Sequence, residues 1–298
     1  MYILGGEGAQ AASFFVSGRG RYAEQVEQVE QVERKDGDCM NDWNGKVVAI
    51  TGASSGIGER TAVLVAGRGG IPLLMARNRA KLDEIAARLG GRCAAYELDV
   101  SSSDSVEAAF KLVYERHGRV DVLVNNAGFG IFERFELTRP EHFESMMNVN
   151  YMGIVRCTKA VLPAMLAAGD GNIVNVASMA GKIGTAKSTG YSATKHAVLG
   201  LTNSLRQELA GTGVTVTAIN PGPVDTPFFD MADPSGSYVA NVKKLMLTPD
   251  RVAGAIVRAV ERNRAEVDLP GIAGFGAKLF HLFPRTFERV SRRFFNLK

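Results

Sequence analysis

The chain has 298 residues, 46% hydrophobic and 22% charged, which is enough to bury one large core but not two full-sized domains. This composition excludes an intrinsically disordered chain, and a mean hydropathy of −0.01 excludes a multi-span membrane protein. The net charge of +4 is unevenly distributed: residues 271–298 are strongly basic, residues 1–39 are acidic, and the nearly neutral body lacks the basic stripe on which nucleic-acid affinity is built.

Glycine is abundant, with 33 residues and no Gly-X-Y period, so glycine-dependent turns are expected rather than collagen. Cys39, Cys93 and Cys157 share no short spacing, and His117, His142, His196 and His281 have no metal-ligand spacing. No disulfide framework and no metal site are expected, and a reducing, cytoplasmic compartment fits this cysteine usage. Cys93 and Cys157 read as small core hydrophobes.

Residues 1–39 do not read as part of a domain. The first sixteen lack the basic start and apolar centre of a secretory signal. The three-residue repeat over Glu24–Glu33 suits neither helix nor strand. A disordered extension is expected there, with translation beginning at Met40. From Lys46 the pattern becomes regular. Short apolar runs at 46–50, 71–75, 94–98, 120–124, 172–176 and 214–219 predict strands, with helices between them, including one over 80–89 and one opened near Ser103. Strands alternating with helices imply right-handed crossovers and a parallel sheet covered on both faces. The expected fold is a doubly wound α/β domain of the Rossmann type over residues 40–270.

The segment Thr51-Gly-Ala-Ser-Ser-Gly-Ile-Gly58 follows the first strand and opens the first helix, the context that a dinucleotide-binding turn needs. Gly52 permits the tight turn, Gly56 lets the backbone approach a pyrophosphate and Gly58 allows close helix packing. Ser54, Ser55 and Ile57 lie in the same turn and join them as candidate cofactor contacts. No Gly-Lys-Ser/Thr follows, so this is not a Walker loop. Where an NAD site would place an acid after the second strand, the sequence has Ala76 and then Arg77, and a guanidinium there favours the 2′-phosphate of NADP. NADP(H) is expected over NAD(H). Asp99, followed by Val100, stands after the third strand, positioned either to accept a bond from an adenine amino group or to cap the next segment.

Ser178 lies just beyond the strand at 172–176, and Tyr191 and Lys195 follow on a predicted helix. Four residues apart, these two share one helical face. A nearby ammonium is expected to lower the phenol's pKa from its ordinary value near 10 and so ease proton exchange with an alcohol or ketone oxygen.

The order of these motifs resembles that of the classical short-chain dehydrogenase/reductase family over about residues 45–270. The resemblance rests on the glycine-rich turn, Asp99, Asn125-Asn-Ala-Gly128, Asn150, Ser178, Tyr191 with Lys195, and Pro221-Gly-Pro-Val-Asp-Thr226. It implies a catalytic tetrad of Asn150, Ser178, Tyr191 and Lys195, with Asn150 anchoring a relay water and Lys195 holding the nicotinamide ribose. It also implies cofactor contacts from Val100, Asn126, Ala127, Gly128, Tyr191, Lys195, Pro221, Gly222, Val224 and Thr226. The implied activity is hydride transfer between a nicotinamide and a small carbonyl or alcohol substrate, in a homodimer or homotetramer paired through the helix carrying Tyr191. The alternative is a catalytically silent cofactor-binding regulator or scaffold.

Residues 221–247 loosen into Pro, Gly, Asp and Ser mixed with Phe228, Phe229, Met231 and Tyr238, suggesting a lid over an apolar ligand. Beyond the last strand, near 267–269, residues 271–298 mix large apolar side chains with six basic residues and are broken by Pro284. Three roles stay open for this basic amphipathic extension: a roof over the pocket, an oligomer contact, or a peripheral membrane contact.

Overall fold

Residues Val47–Thr51 form strand β1, buried along its whole length, as a run of Val, Ala and Ile is when helices cover both faces of a sheet. The computed structural model describes residues 42–283. Helix α1 (Gly56–Gly67) follows, then β2 (Ile71–Ala76), α2 (Arg79–Arg88), β3 (Ala94–Glu97), α3 (Ser103–His117) and β4 (Val122–Asn125). Helices α4 (Pro140–Met147) and α5 (Gly153–Ala168) are joined by a π turn, Asn148–Met152, and lead to β5 (Gly171–Val176). A 3₁₀ turn at Met179–Gly181 precedes α6 (Thr189–Glu208) and β6 (Val214–Pro221). The chain ends its described part with α7 (Phe228–Ala232), α8 (Ser237–Val242), a 3₁₀ turn at Lys243–Leu245, α9 (Pro249–Glu261), β7 (Glu266–Leu269) and α10 (Gly271–Leu282).

The seven strands form one sheet in the order β3-β2-β1-β4-β5-β6-β7, with every pairing parallel. The winding direction reverses between β1 and β4, and in open parallel sheets ligands bind in the crevice outside the strand ends at such a point. All the strands expected from the sequence form, with ends displaced by one or two residues. β4 starts at Val122, and β6 continues through Asn220 and Pro221 because both pair with β7. The segment 221–247 is not a loose loop; it contains two short helices. The extension over 1–39, the start at Met40 and residues 284–298 lie outside the described residues.

Helix ends follow local chemistry. Asn78 Oδ1 accepts from the amide of Lys81 at the start of α2, Ser102 caps α3, and Gly118 takes the left-handed conformation that closes α3. The run Pro140–Ala168 is apolar and long enough to cross a membrane by length and composition. Ile154, Cys157, Val161 and Met165 on it are buried in this fold. Cys157 is the core hydrophobe expected, whereas Cys93 is only half-buried, with Sγ 3.6 Å from the Ala86 carbonyl, because it stands at the edge of the sheet just before β3. Ile173, at the middle of β5, is fully buried between β4 and β6. Ile173→Ala should destabilise the fold by about 2–5 kcal/mol, read as a lower urea midpoint with an unchanged slope.

Candidate active site

The carboxyl ends of β1, β4, β5 and β6 bring the expected residues to one edge of the sheet. The turn after β1 is held from the neighbouring strand. Asn126 Nδ2 donates to the carbonyls of Thr51 and Gly52 at 3.0 and 3.2 Å, while Thr51 Oγ1 accepts from the amides of Asn126 and Ala127 at 2.9 and 3.0 Å. The side chain of Asn126 is therefore engaged in shaping the turn. Gly52 has φ +65°, and a Cβ there would lie 2.9 Å from the Cα of Ala127; one on Gly58 would overlap the Gly52 carbonyl. Gly56, with φ +56°, faces the methyl of Thr226 across the crevice. Ser54, Ser55 and Ile57 are half-buried, and Ser55 makes no side-chain cap on α1. The first amides of that helix thus lack the side-chain acceptor that α2 and α3 possess.

Arg77 is exposed at the end of β2, near enough to Asp99 to help hold its carboxyl below the ordinary range, although the hydrogen bond from Ser101 is the larger cause. Asp99 Oδ1 accepts from both the amide and the hydroxyl of Ser101, at 2.9 and 2.7 Å, which is the capping geometry. Val100 is buried against Gly153, and its carbonyl accepts from Arg156.

At the chemical end, Ser178 follows β5, and its hydroxyl accepts from the amide of Ala180 at 3.0 Å and donates to the Pro221 carbonyl at 3.4 Å. Gly222 donates its amide to Leu269 at 2.7 Å, and Val224 bridges to Leu247, so the segment after β6 is tied on both sides. Thr226 Oγ1 turns back to the Val224 carbonyl. Tyr191 and Lys195 stand one turn apart on α6, with Lys195 Nζ 5.7 Å from the centre of the Tyr191 ring. Lys195 Nζ donates to the Val176 carbonyl at 2.8 Å. Asn150 sits in the π turn, fully buried, and its amide exchanges two bonds with the backbone of Phe129 and donates to Thr194 Oγ1. Gly128 is the close-approach point: a Cβ on it would lie 3.0 Å from Asn150 Oδ1 and 3.8 Å from Lys195 Nζ.

One expectation is corrected here. The Tyr191 phenol stands above its ordinary value, not below it. Burial pushes that phenol up to about 12, only partly opposed by the neighbouring Ser178 hydroxyl, while burial brings Lys195 down to about 8. The ammonium points to the Val176 carbonyl rather than to the hydroxyl, so desolvation dominates both groups.

A family model described as short chain dehydrogenase matches residues 46–235. The chain belongs to the short-chain dehydrogenase family. An uncharacterized oxidoreductase of Staphylococcus epidermidis is 38% identical over 72% of this chain and 90% of that one. Among solved structures, a short chain dehydrogenase/reductase from Burkholderia phymatum in complex with NAD aligns over 83% of this chain and 96% of its own, with TM-score 0.76 and 28% identity. An alcohol dehydrogenase of the archaeon Thermococcus sibiricus, complexed with 5-hydroxy-NADP, aligns over 76% and 96%, with TM-score 0.67 and 33% identity. This short-chain dehydrogenase is accordingly an NAD(P)-dependent oxidoreductase.

The residues present fit such a dinucleotide. Position 56 must be glycine, because a Cβ there would strike the Thr226 methyl, so the turn keeps a bare backbone, and the first amides of α1 have no side-chain cap to compete with a phosphate. In this dehydrogenase several supporting residues, the motif's own Asn125 aside, escape motif reading. Asn125 donates to Asn175 at 2.9 Å, and Asn175 donates to Thr202 at 2.9 Å, tying β4, β5 and α6 through the core. Lys182 binds both Asp268 and Glu266, and Asn220 donates to the same two carboxylates, bracing the turn after Ser178 against β7. Phe132 lies edge-on to Tyr191, Phe228, Phe229 and Tyr238. Only the polar Asn175 inside an apolar strand gave any signal, since a buried amide must have a partner.

Proposed function

We propose that this protein is an NADP(H)-preferring carbonyl reductase or secondary-alcohol dehydrogenase acting on an apolar substrate. The observation carrying this reading is the aromatic enclosure of Tyr191: Phe132 and Phe228 lie 5.7 and 5.5 Å from its ring, and Tyr238 and Phe229 close the far side. Gly130 makes the enclosure dense, because a Cβ there would strike Phe228 and Tyr191. Met231, by contrast, is exposed on the outer surface. Such a wall favours a ligand that presents apolar surface around one polar atom.

A bound nicotinamide supplies or accepts the hydride. Tyr191, un-ionised at neutral pH as any phenol is and held further from ionisation by burial, donates its proton to the substrate oxygen during reduction. Ser178 orients that oxygen through its hydroxyl. Lys195, still mainly protonated at neutral pH, favours the phenolate that donation leaves behind. Asn150 is a positioning residue that fixes the loop through Phe129. Gly52, Ser54, Ser55, Gly56, Ile57, Gly58 and Thr226 would line the dinucleotide, and Arg77 would meet a 2′-phosphate.

Oxidation of NADPH and NADH against ketones, aldehydes and 3-oxoacyl thioesters tests the reading, with NADPH-dependent, apolar-selective turnover expected. NADPH binding without turnover of any of them would overturn it. Arg77→Glu should shift the NADPH/NADH ratio of kcat/KM toward NADH by about tenfold, the low end for a charge-assisted bond at an exposed site; an unchanged ratio removes Arg77 from cofactor choice. A homodimer or homotetramer through α6 is supported by the outward stripe of Ala193, His196, Gly200 and Ser204, which lets another helix approach closely. A cytoplasmic location is supported by the free state of Cys93 and Cys157.

A further inference from the structure

Helix α10 is amphipathic in the reverse of the usual sense. Gly274 and Ala277 are buried, while Ile272, Phe275, Leu279 and Leu282 are 80, 63, 38 and 69% exposed. Positions 272, 275, 279 and 282 recur at helical spacing, so these large side chains form one continuous outward stripe. The orientation has a steric cause. The helix packs on β7 so closely that a Cβ on Gly274 would overlap the Asp268 carboxylate, which Lys182 holds at 2.6 Å. Only the small face of α10 can sit there, so the large apolar face is presented to the outside. This orientation also argues against α10 roofing the substrate pocket with its large residues.

An exposed apolar stripe of this kind marks an interaction surface, and charge selects its partner. Lys278 lies on α10 itself, and in sequence the last fifteen residues add Arg285, Arg289, Arg292, Arg293 and Lys298 against Glu288, interleaved with Phe287, Val290, Phe294 and Phe295. A second copy would bring the same positive charge against itself. We propose that α10 and the residues after it dock on an anionic membrane surface, the stripe entering the headgroup boundary and the basic residues pairing with acidic lipid. Since α10 starts at the carboxyl end of β7 and touches the Met179–Gly181 turn after Ser178, the docking face lies at the substrate end of the sheet.

The test is co-sedimentation of the full chain with phosphatidylcholine vesicles and with the same vesicles containing roughly a quarter phosphatidylserine. Binding is expected to the acidic vesicles only, and to weaken at roughly 0.5 M NaCl, where screening is short-ranged. Phe275→Glu with Leu282→Glu, both on the exposed stripe, should lower binding at least about tenfold, with the thermal midpoint unchanged. Arg289→Glu with Arg292→Glu, which removes two of the basic residues after α10, should do the same. Wild-type protein left in the supernatant, equal binding to neutral vesicles, or binding that survives both double variants would each overturn the proposal. So would dimers, seen by sedimentation velocity, that the stripe variant dissociates while vesicle binding is absent, which would assign the face to a second copy.

Discussion

Tyr191→Phe is expected to lower turnover about 10²- to 10⁴-fold, the range over which a positioned acid contributes to catalysis, while dinucleotide affinity stays within about twofold because no charged or hydrogen-bonding group in the glycine-rich crevice changes. The ring keeps its place. Phe132 and Phe228 pack against its faces and edges rather than against the hydroxyl, so the variant removes the proton donor and leaves the wall of the pocket. Stability should change by no more than about 1 kcal/mol, since a single buried hydroxyl beside Ser178 is removed and the ring stays packed. Steady-state NADPH oxidation and NADPH titration by fluorescence read the two effects separately. Retained turnover would move the acid to another group; lost turnover together with lost NADPH binding would show a folding or crevice defect instead.

The frame of this protein was readable because it repeats. Each buried strand is a short apolar run between a helix stop and a glycine or polar turn, and β1 through β6 follow that rule with ends displaced by at most two residues. The candidate site was readable where it depends on backbone shape: Gly52, Gly56 and Gly58 stand where a side chain would strike Ala127, Thr226 or the turn itself. What the linear order hides is direction. Tyr191 and Lys195 were placed on one face correctly, yet the direction of Lys195 Nζ depends on the Val176 carbonyl, which belongs to a strand nineteen residues earlier. Asn150 was found, but its amide is engaged by Phe129, a partner on a different segment. Phe132 could not be found from sequence, because an aromatic in a loop carries no sign of the four rings that will surround it. The inversion of α10 is similar: its pattern announces an amphipathic helix, and only the close approach of Gly274 to Asp268 decides which face looks outward.

Lys195→Met should separate what this lysine does for catalysis from what it costs the fold. Lys195 is buried, and burial lowers its pKa from 10.5 to about 8. Below pH 8 the folded and unfolded chains both carry the proton, so the folded state bears the full penalty of the buried charge. Between pH 8 and 10.5 the unfolded chain binds more protons than the folded one, and stability rises with pH by at most about 1.4 kcal/mol per unit. Above 10.5 neither holds the proton. Methionine, of similar length and without charge, carries no such penalty, although the Val176 carbonyl loses its donor at about 1–3 kcal/mol. The wild-type minus variant difference in unfolding free energy should therefore climb between pH 8 and 10.5, measured by urea titration at several pH values across that window. Cys157, whose thiol burial pushes up to about 12, opposes this trend from about pH 9, but it is common to both proteins and cancels in the difference. Turnover of the variant should fall about 10²- to 10³-fold, as when one electrostatic donor is removed from a site where charge develops. A difference that stays flat with pH would show that Lys195 keeps an ordinary pKa in the fold; the charge would then be paired by a group other than the Val176 carbonyl, and Lys195 would favour the Tyr191 phenolate as a full positive charge across the working pH range.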